Sequence, residues 1–213
     1  MGIFKKLYMT SMLGIILAVP TYATVVTGSQ SDVNMELKYP LVYTNNMFAQ
    51  KAINTDIANY VLYAKSVYYD QHAYQVKQNY KVTYEDAQVV SILLTTYYYH
   101  AGAAHGMYTT KGLVYNKLTG QKIPLYNYVK VGSAQQLEQG IHTGVLRLYT
   151  SDHKRTNIPR GWNVEYVSDN YCLKGKGTIE LVYQPYELGP YSYGNTFVEF
   201  SPKAIEYFNR MNG

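Results

Sequence analysis

Five histidines, one cysteine and a few acidic residues are the groups in this 213-residue chain whose chemistry could serve catalysis. His100 and His105 flank a short turn, Gly102-Ala103-Ala104-His105-Gly106. Five residues apart across a turn is no helical metal spacing, and His72, His142 and His153 fall in unrelated segments, so the sequence holds no metal box. A metal site would need carboxylates arriving from elsewhere, and Glu187 is the one candidate. Nucleophilic catalysis lacks a Gly-x-Ser-x-Gly elbow, and Ser91, Ser133 and Ser201 read as strand and cap residues. Glu180, Glu187 and Glu199 offer carboxylates of the kind that cleave glycosides, yet acidic residues alternating along strands ordinarily face solvent. Cys172 lies in the alternating run Asn170-Tyr171-Cys172-Leu173 and reads as a buried, inert thiol. As the single cysteine it can form no intramolecular disulfide.

Tyrosine dominates the aromatic content, with 26 residues against 5 Phe and 1 Trp. A tyrosine ring offers a flat apolar face and a polar hydroxyl, which suits stacking on sugars, but it is also a good strand residue. Most of these residues lie in extended stretches such as Tyr80 to Tyr84, Tyr97 to Tyr99 and Tyr126 to Tyr128. Two loops stand out because each follows a strand and mixes Gly or Pro with aromatic residues: Gly102 to Gly106 and Tyr183 to Tyr191. Loops on a rigid sheet commonly carry recognition, so the two are expected side by side, with Tyr99, His105, Tyr183, Tyr186, Glu187 and Tyr191 as binding residues. The competing reading has these side chains bracing one another, and a catalytic alternative pairs Glu187 with His105 as acid and base.

The elements that position these loops follow from hydrophobic periodicity. Asn45-Asn46 can cap a helix over 47–66, whose Ala49, Ile53, Ile57, Tyr60, Val61 and Ala64 recur at helical spacing. Strands follow at Ala73 to Tyr84 and Gln88 to Tyr99, and after the glycine turn a strand from Gly112 bends at Thr119-Gly120 into a second extended piece. Ser133 and Gln136 have capping-box spacing, and Leu137, Ile141, Val145 and Leu148 predict a helix over 134–149. Asn170 to Leu173, Thr178 to Tyr183 and Thr196 to Phe200 read as strands, and Ser201-Pro202 opens a final helix. The expected fold class is α+β: two adjoining lobes, 24–99 and 100–213, each an antiparallel sheet covered by a helix.

The first residues speak to compartment. Lys5 and Lys6, the apolar run Leu7 to Val19 and the Pro20-Thr21-Tyr22-Ala23 stretch form a signal peptide over 1–23, cleaved after Ala23. The apolar run falls short of the ~20 residues a spanning helix needs, so no membrane span is expected after cleavage, and the mature protein is expected in the periplasm or outside the cell. Net charge falls by two, from +5 to +3, when Lys5 and Lys6 are removed. The basic residues are scattered and form no stripe for nucleic acid, and no cofactor motif occurs.

The order strand, Gly-Ala-Ala-His-Gly, strand, Thr119-Gly120, then Tyr186-Glu187-Leu188-Gly189-Pro190-Tyr191 resembles the domain-of-unknown-function 3298 (DUF3298) family, whose pattern runs Gly-Gly-Ala-His-Gly, Thr-Gly-Lys and Tyr-Glu-Ile-Pro-Tyr. Ala103 stands where that pattern has a second glycine. The region around Ile53-Asn54 is similar, by element order, to the companion family 4163. The resemblance implies an extracytoplasmic, non-catalytic binding module. Its relatives include the outer part of a lysozyme-recognising anti-sigma factor and the non-catalytic part of some peptidoglycan deacetylases, so cell-wall glycan or a lysozyme-like protein is the implied partner.

Overall fold

The computed structural model describes residues 24–213, and the expected signal peptide lies outside them. The chain opens on a hairpin, β1 (Val25–Asp32) and β2 (Met35–Val42). Sequence periodicity does not single out β1, because its residues Val-Val-Thr-Gly-Ser-Gln-Ser-Asp form an open, largely exposed edge. β2 alternates, with Met35 and Leu37 buried and Glu36 and Lys38 exposed, as a half-buried strand should. The Asn46 side chain then accepts from the backbone N–H groups of Phe48 and Ala49 and starts α1 (Met47–Tyr69). Its buried face, Ala49, Ile53, Ile57, Val61, Ala64 and Val67, carries the helix three residues past the expected end at 66. It stops at Asp70, just before His72 takes a left-handed φ of 55°.

β3 (Gln75–Glu85), β4 (Val89–Tyr99) and β5 (Met107–Asn116) complete a five-stranded sheet in the order β1-β2-β3-β4-β5. β2 and β3 run parallel, with α1 as the crossover between them, and the other neighbours are antiparallel. The sheet is antiparallel, as expected, except at this one pair, where a long helix between two strands returns the chain to the same end of the sheet. β5, expected in the second lobe, pairs with β4 from Val89 opposite Asn116 to Tyr98 opposite Met107, so the first sheet runs past residue 99. Ile53 and Ile57 pack on Ile92, Leu94, Leu113 and Tyr115. The Thr119-Gly120 turn lies on α1: a Cβ at Gly120, where φ is +79°, would sit 2.8 Å from the Ala49 backbone.

The second half begins with α2 (Ala134–His142), capped by Ser133 accepting from Gln136 N–H at 3.1 Å. The expected helix over 134–149 is corrected here. The helix ends at His142, Gly144 adopts φ +77°, Leu146 N–H bonds the Gly140 carbonyl, and the chain enters β6 (Arg147–Tyr149). Leu148 is buried in a strand paired with Val198, and Val145 is 40% exposed, so its helical spacing was coincidental. β7 (Arg155–Thr156), β8 (Tyr171–Gly175), β9 (Thr178–Tyr183) and β10 (Thr196–Phe200) follow, and the sheet order is β7-β6-β10-β9-β8, all antiparallel. α3 (Pro202–Asn212) closes the chain behind a Ser201 cap. Leu137, Ile141, Ala204 and Phe208 from the two helices join Ile179, Leu181, Tyr183, Val198 and Phe200 in the main core. The fold is thus α+β, with two five-stranded sheets and helices on each.

β8 meets the first sheet backbone to face. Leu173 N–H donates to Ser91 Oγ at 2.9 Å, and a Cβ at Gly112 would lie 1.9 Å from the Tyr171 carbonyl oxygen. Carboxamides complete the join. Asn170 accepts from Gly112 N–H (2.5 Å) and donates to Thr110 C=O (2.8 Å), while Gln184 accepts from Thr110 N–H (2.8 Å) and donates to the same carbonyl (2.8 Å). These amides stand in for the middle of a sixth strand and satisfy both outward backbone groups of Thr110 and the N–H of Gly112. Cys172 is buried in this region, and its thiol is pushed up to about 12 by burial and then by nearby Glu180.

Candidate recognition site

The turn after β4 is set by few groups. Ala103 N–H bonds the His100 carbonyl, Gly102 adopts φ +87°, and Tyr99 donates its hydroxyl proton to Ala103 C=O. Ala103 itself has no positive φ, so alanine fits where the DUF3298 pattern has its second glycine. A Cβ at Gly106 would fall 2.3 Å from the outer atoms of the Tyr97 ring, so any other residue there would displace that ring.

The second loop is built around Gln184-Pro185-Tyr186-Glu187. Pro185 takes the first corner and Tyr186 the second, at φ +72°, and Glu187 N–H closes the turn on the Gln184 carbonyl. A left-handed φ is normal for glycine and strained for a bulky aromatic. The surroundings hold it: Glu187 Oε2 accepts from Gln184 N–H at 2.6 Å, and the Gln184 amide is fastened to Thr110.

The two loops meet. His105 stacks on Tyr191 with ring centres 3.9 Å apart and planes 25° from parallel, and Tyr186 lies 5.7 Å from Tyr191. The Tyr191 hydroxyl donates to Gly106 C=O at 2.6 Å, and His105 Nδ1 lies 3.0 Å from the same oxygen. A carbonyl only accepts, so Nδ1 carries a hydrogen and Nε2 faces the Tyr186 hydroxyl at 3.3 Å. The Tyr191 phenol is raised by burial first, then by Tyr97 and Tyr186. Tyr186 is 48% exposed, and His105 is exposed beside it.

The other three expected residues are placed differently. Tyr99 points to Tyr74, edge to face at 6.3 Å, and braces its own turn. Tyr183 lies wholly buried on the inner face of β9, where its hydroxyl donates to Tyr166 C=O and accepts from Ser168 N–H, so it sits beneath the stack of His105 on Tyr191 and borders a cavity beside it. Glu187 belongs to the same turn as Tyr186 but lines the same cavity, which does not include His105. Among the described residues no hydrogen bond joins Glu187 to His105, and no group of three His, Cys, Asp or Glu side chains comes together as a metal site.

That cavity, about 270 Å³, is bounded by the loop between β7 and β8 and by the turn after β9. Trp162, Glu165 and Tyr166 contribute to it, and sequence reasoning passed them over because they lie in a stretch without periodicity. The available signal was the chain's one tryptophan directly after Gly161.

A parallel β-α-β start, an antiparallel second sheet and an amide-sealed join make a two-lobed α+β domain, and its fold is like that of two solved DUF3298 family proteins. The chain is similar to the crystal structure of a DUF3298 family protein from Pseudomonas aeruginosa PAO1, at 14% identity over 85% of this chain and 91% of that one, with a TM-score of 0.58. It is also similar to a member of the family from Bacteroides fragilis NCTC 9343, at 13% identity over 89% and 94% of the two chains, with a TM-score of 0.57. No family model and no curated protein matches the sequence.

Proposed function

We propose that the protein is an exported, non-catalytic binding module that recognises cell-wall glycan through the His105, Tyr186 and Tyr191 platform. The observation that carries this reading is Tyr186, an aromatic ring held half-exposed at a left-handed φ by a turn fastened on both sides. Such strain costs on the order of 1–3 kcal/mol and persists where neighbouring structure over-determines it, as at ligand sites. Flat rings edged by a hydroxyl and an imidazole match the alternating apolar and hydroxyl faces of sugars. The separate engagements of Glu187 and His105 favour binding over hydrolysis. Cell-wall glycan is the ligand class that the family resemblance implies, and these side chains suit it.

Retention on purified peptidoglycan and titration with soluble glycan fragments, with lysozyme in parallel, test the reading. Tyr186→Ala removes an exposed ring, so it should weaken glycan retention about 3- to 10-fold while the melting temperature stays near that of the parent. Undiminished retention by this variant refutes the platform, and binding to lysozyme alone moves the ligand from glycan to protein.

A further inference from the structure

The cavity beside the platform has a composition that the glycan reading alone does not require. Trp162, Tyr166 and Tyr186 bring rings to it, and Glu165 and Glu187 bring carboxylates. Of the other described acids, Glu36, Asp56, Glu85, Asp152, Glu180 and Glu199 pair with Lys or Arg and Glu138 meets His142, while Asp32, Asp70, Asp86 and Glu206 stand apart from one another on the surface. Among the described residues, neither Glu165 nor Glu187, nor Asp169 close to Tyr166, makes an ion pair with Lys, Arg or His. The Tyr166 phenol is raised by burial first, then by its hydrogen bond to Glu187 and the charge of that carboxylate, with Tyr183 and Asp169 smaller contributors.

The walls are fixed in advance although they lack regular secondary structure. Trp162 N–H bonds the Pro159 carbonyl, Val164 N–H bonds Glu138 Oε2 on α2 at 2.9 Å, and the buried Tyr183 hydroxyl bridges Tyr166 C=O and Ser168 N–H. A site already held in shape loses little entropy on binding. Aromatic faces and unpaired carboxylates together attract an organic cation, the rings through their quadrupoles and the acids through charge. At about 270 Å³ the cavity lies just below the range of drug-sized pockets and suits one sugar ring or one side chain.

We propose that this cavity binds a primary ammonium group, carried on an amino sugar or on a lysine side chain. The assignment rests on the binding-module reading and names the chemistry that the module selects.

Trp162 is the chain's one tryptophan, so its fluorescence reports occupancy directly. The purified protein is titrated with glucosamine tetramer and N-acetylglucosamine tetramer, and separately with Nα-acetyl-lysine amide and its Nε-acetylated form. The free-amine member of at least one pair should bind at least 10-fold more tightly. That preference should shrink in high salt and vanish in Glu165→Gln/Glu187→Gln, in which the carboxamide introduced by the second substitution keeps an oxygen to accept from Gln184 N–H and the parent's melting temperature is retained. The pair that responds identifies the carrier. Equal binding of the acetylated and free tetramers, with no preference for the free lysine amine, overturns the ammonium assignment and leaves the glycan module standing. A preference that survives the double substitution overturns the assignment to this cavity. Binding of the lysine amine with no response to either tetramer keeps the assignment and overturns the glycan reading, and no binding of any of the four compounds overturns both.

Discussion

Gly112→Ala is the sharpest test of how the two halves are joined. Its Cβ would stand 1.9 Å from the Tyr171 carbonyl oxygen and 2.5 Å from the carbonyl carbon. These are backbone atoms of β8, which cannot swing aside as a side chain can. Gly112 does not have a positive φ, so alanine meets no conformational penalty and the whole effect is steric. Restoring ordinary contact requires β8 to withdraw from β5 by more than 1 Å, which pulls Asn170 off Gly112 N–H and Thr110 C=O. Overpacking costs about 1–3 kcal/mol and orphaning buried backbone groups about 1–3 kcal/mol more. A total of about 2–6 kcal/mol, at about 2–4 °C per kcal/mol for a domain of this size, lowers the melting temperature by roughly 5–20 °C. Calorimetry measures it, with Gly144→Ala as the control: there φ is +77° and the added Cβ meets no atom within 4 Å, so only the backbone strain of about 1–2 kcal/mol is added. A Gly112→Ala protein melting within 2 °C of the parent, or no lower than the control, would refute the backbone-to-face join.

Two further outcomes are expected. The Cys172 thiol, buried and pushed up to about 12, should resist a thiol reagent at pH 8 in the native protein and react fully after denaturation, as a colorimetric thiol assay would show; rapid native labelling would contradict its placement. The Asp152 carboxyl is held at about 2, below its ordinary value near 4, by its contact with Lys154 and then by Thr150. A depressed carboxyl contributes its stabilisation above the unfolded value and loses it as pH falls through the folded one, so the 150–154 turn should loosen between about pH 4 and about pH 2. Carbon-detected NMR titration should place the midpoint near 2, and Lys154→Ala should raise it; an unmoved midpoint would assign the shift elsewhere.

Where local chemistry decided the structure, the sequence was legible. The Asn46, Ser133 and Ser201 caps, the face from Ile53 to Ala64, the Thr119-Gly120 turn and the strand pattern of Thr178 to Tyr183 all lie where residue type and spacing put them. Errors arose where tertiary context prevailed. Val145 and Leu148 continued the α2 period by accident, and the left-handed Gly144 sent them into a bend and a strand. β1 lacked apolar alternation because it is an edge whose partner, not its composition, makes it a strand. At the site, proximity of the two loops was readable from their shared chemistry, and His105, Tyr186 and Tyr191 do converge. The burial of Tyr183 followed from strand parity that turn residues alone do not reveal, and Trp162, Glu165 and Tyr166 sat in an aperiodic loop positioned by distant hydrogen bonds.

The amide seal along β5 has a consequence for how this chain can be made and divided. Thr110 and Gly112 are satisfied by side chains 74 and 58 residues downstream, so this stretch of the β5 edge, unlike Val114 and Asn116 that residues 121–123 cover, stays bare until Asn170 and Gln184 arrive. During synthesis the earlier half therefore carries an open pairing edge for the time needed to translate the rest, and contacts this far apart in sequence slow folding. A fragment ending near residue 120 would keep that edge permanently and associate through it. Coexpression of the missing half would be the natural chaperone, because its two carboxamides occupy the hydrogen bonds through which such fragments would stack.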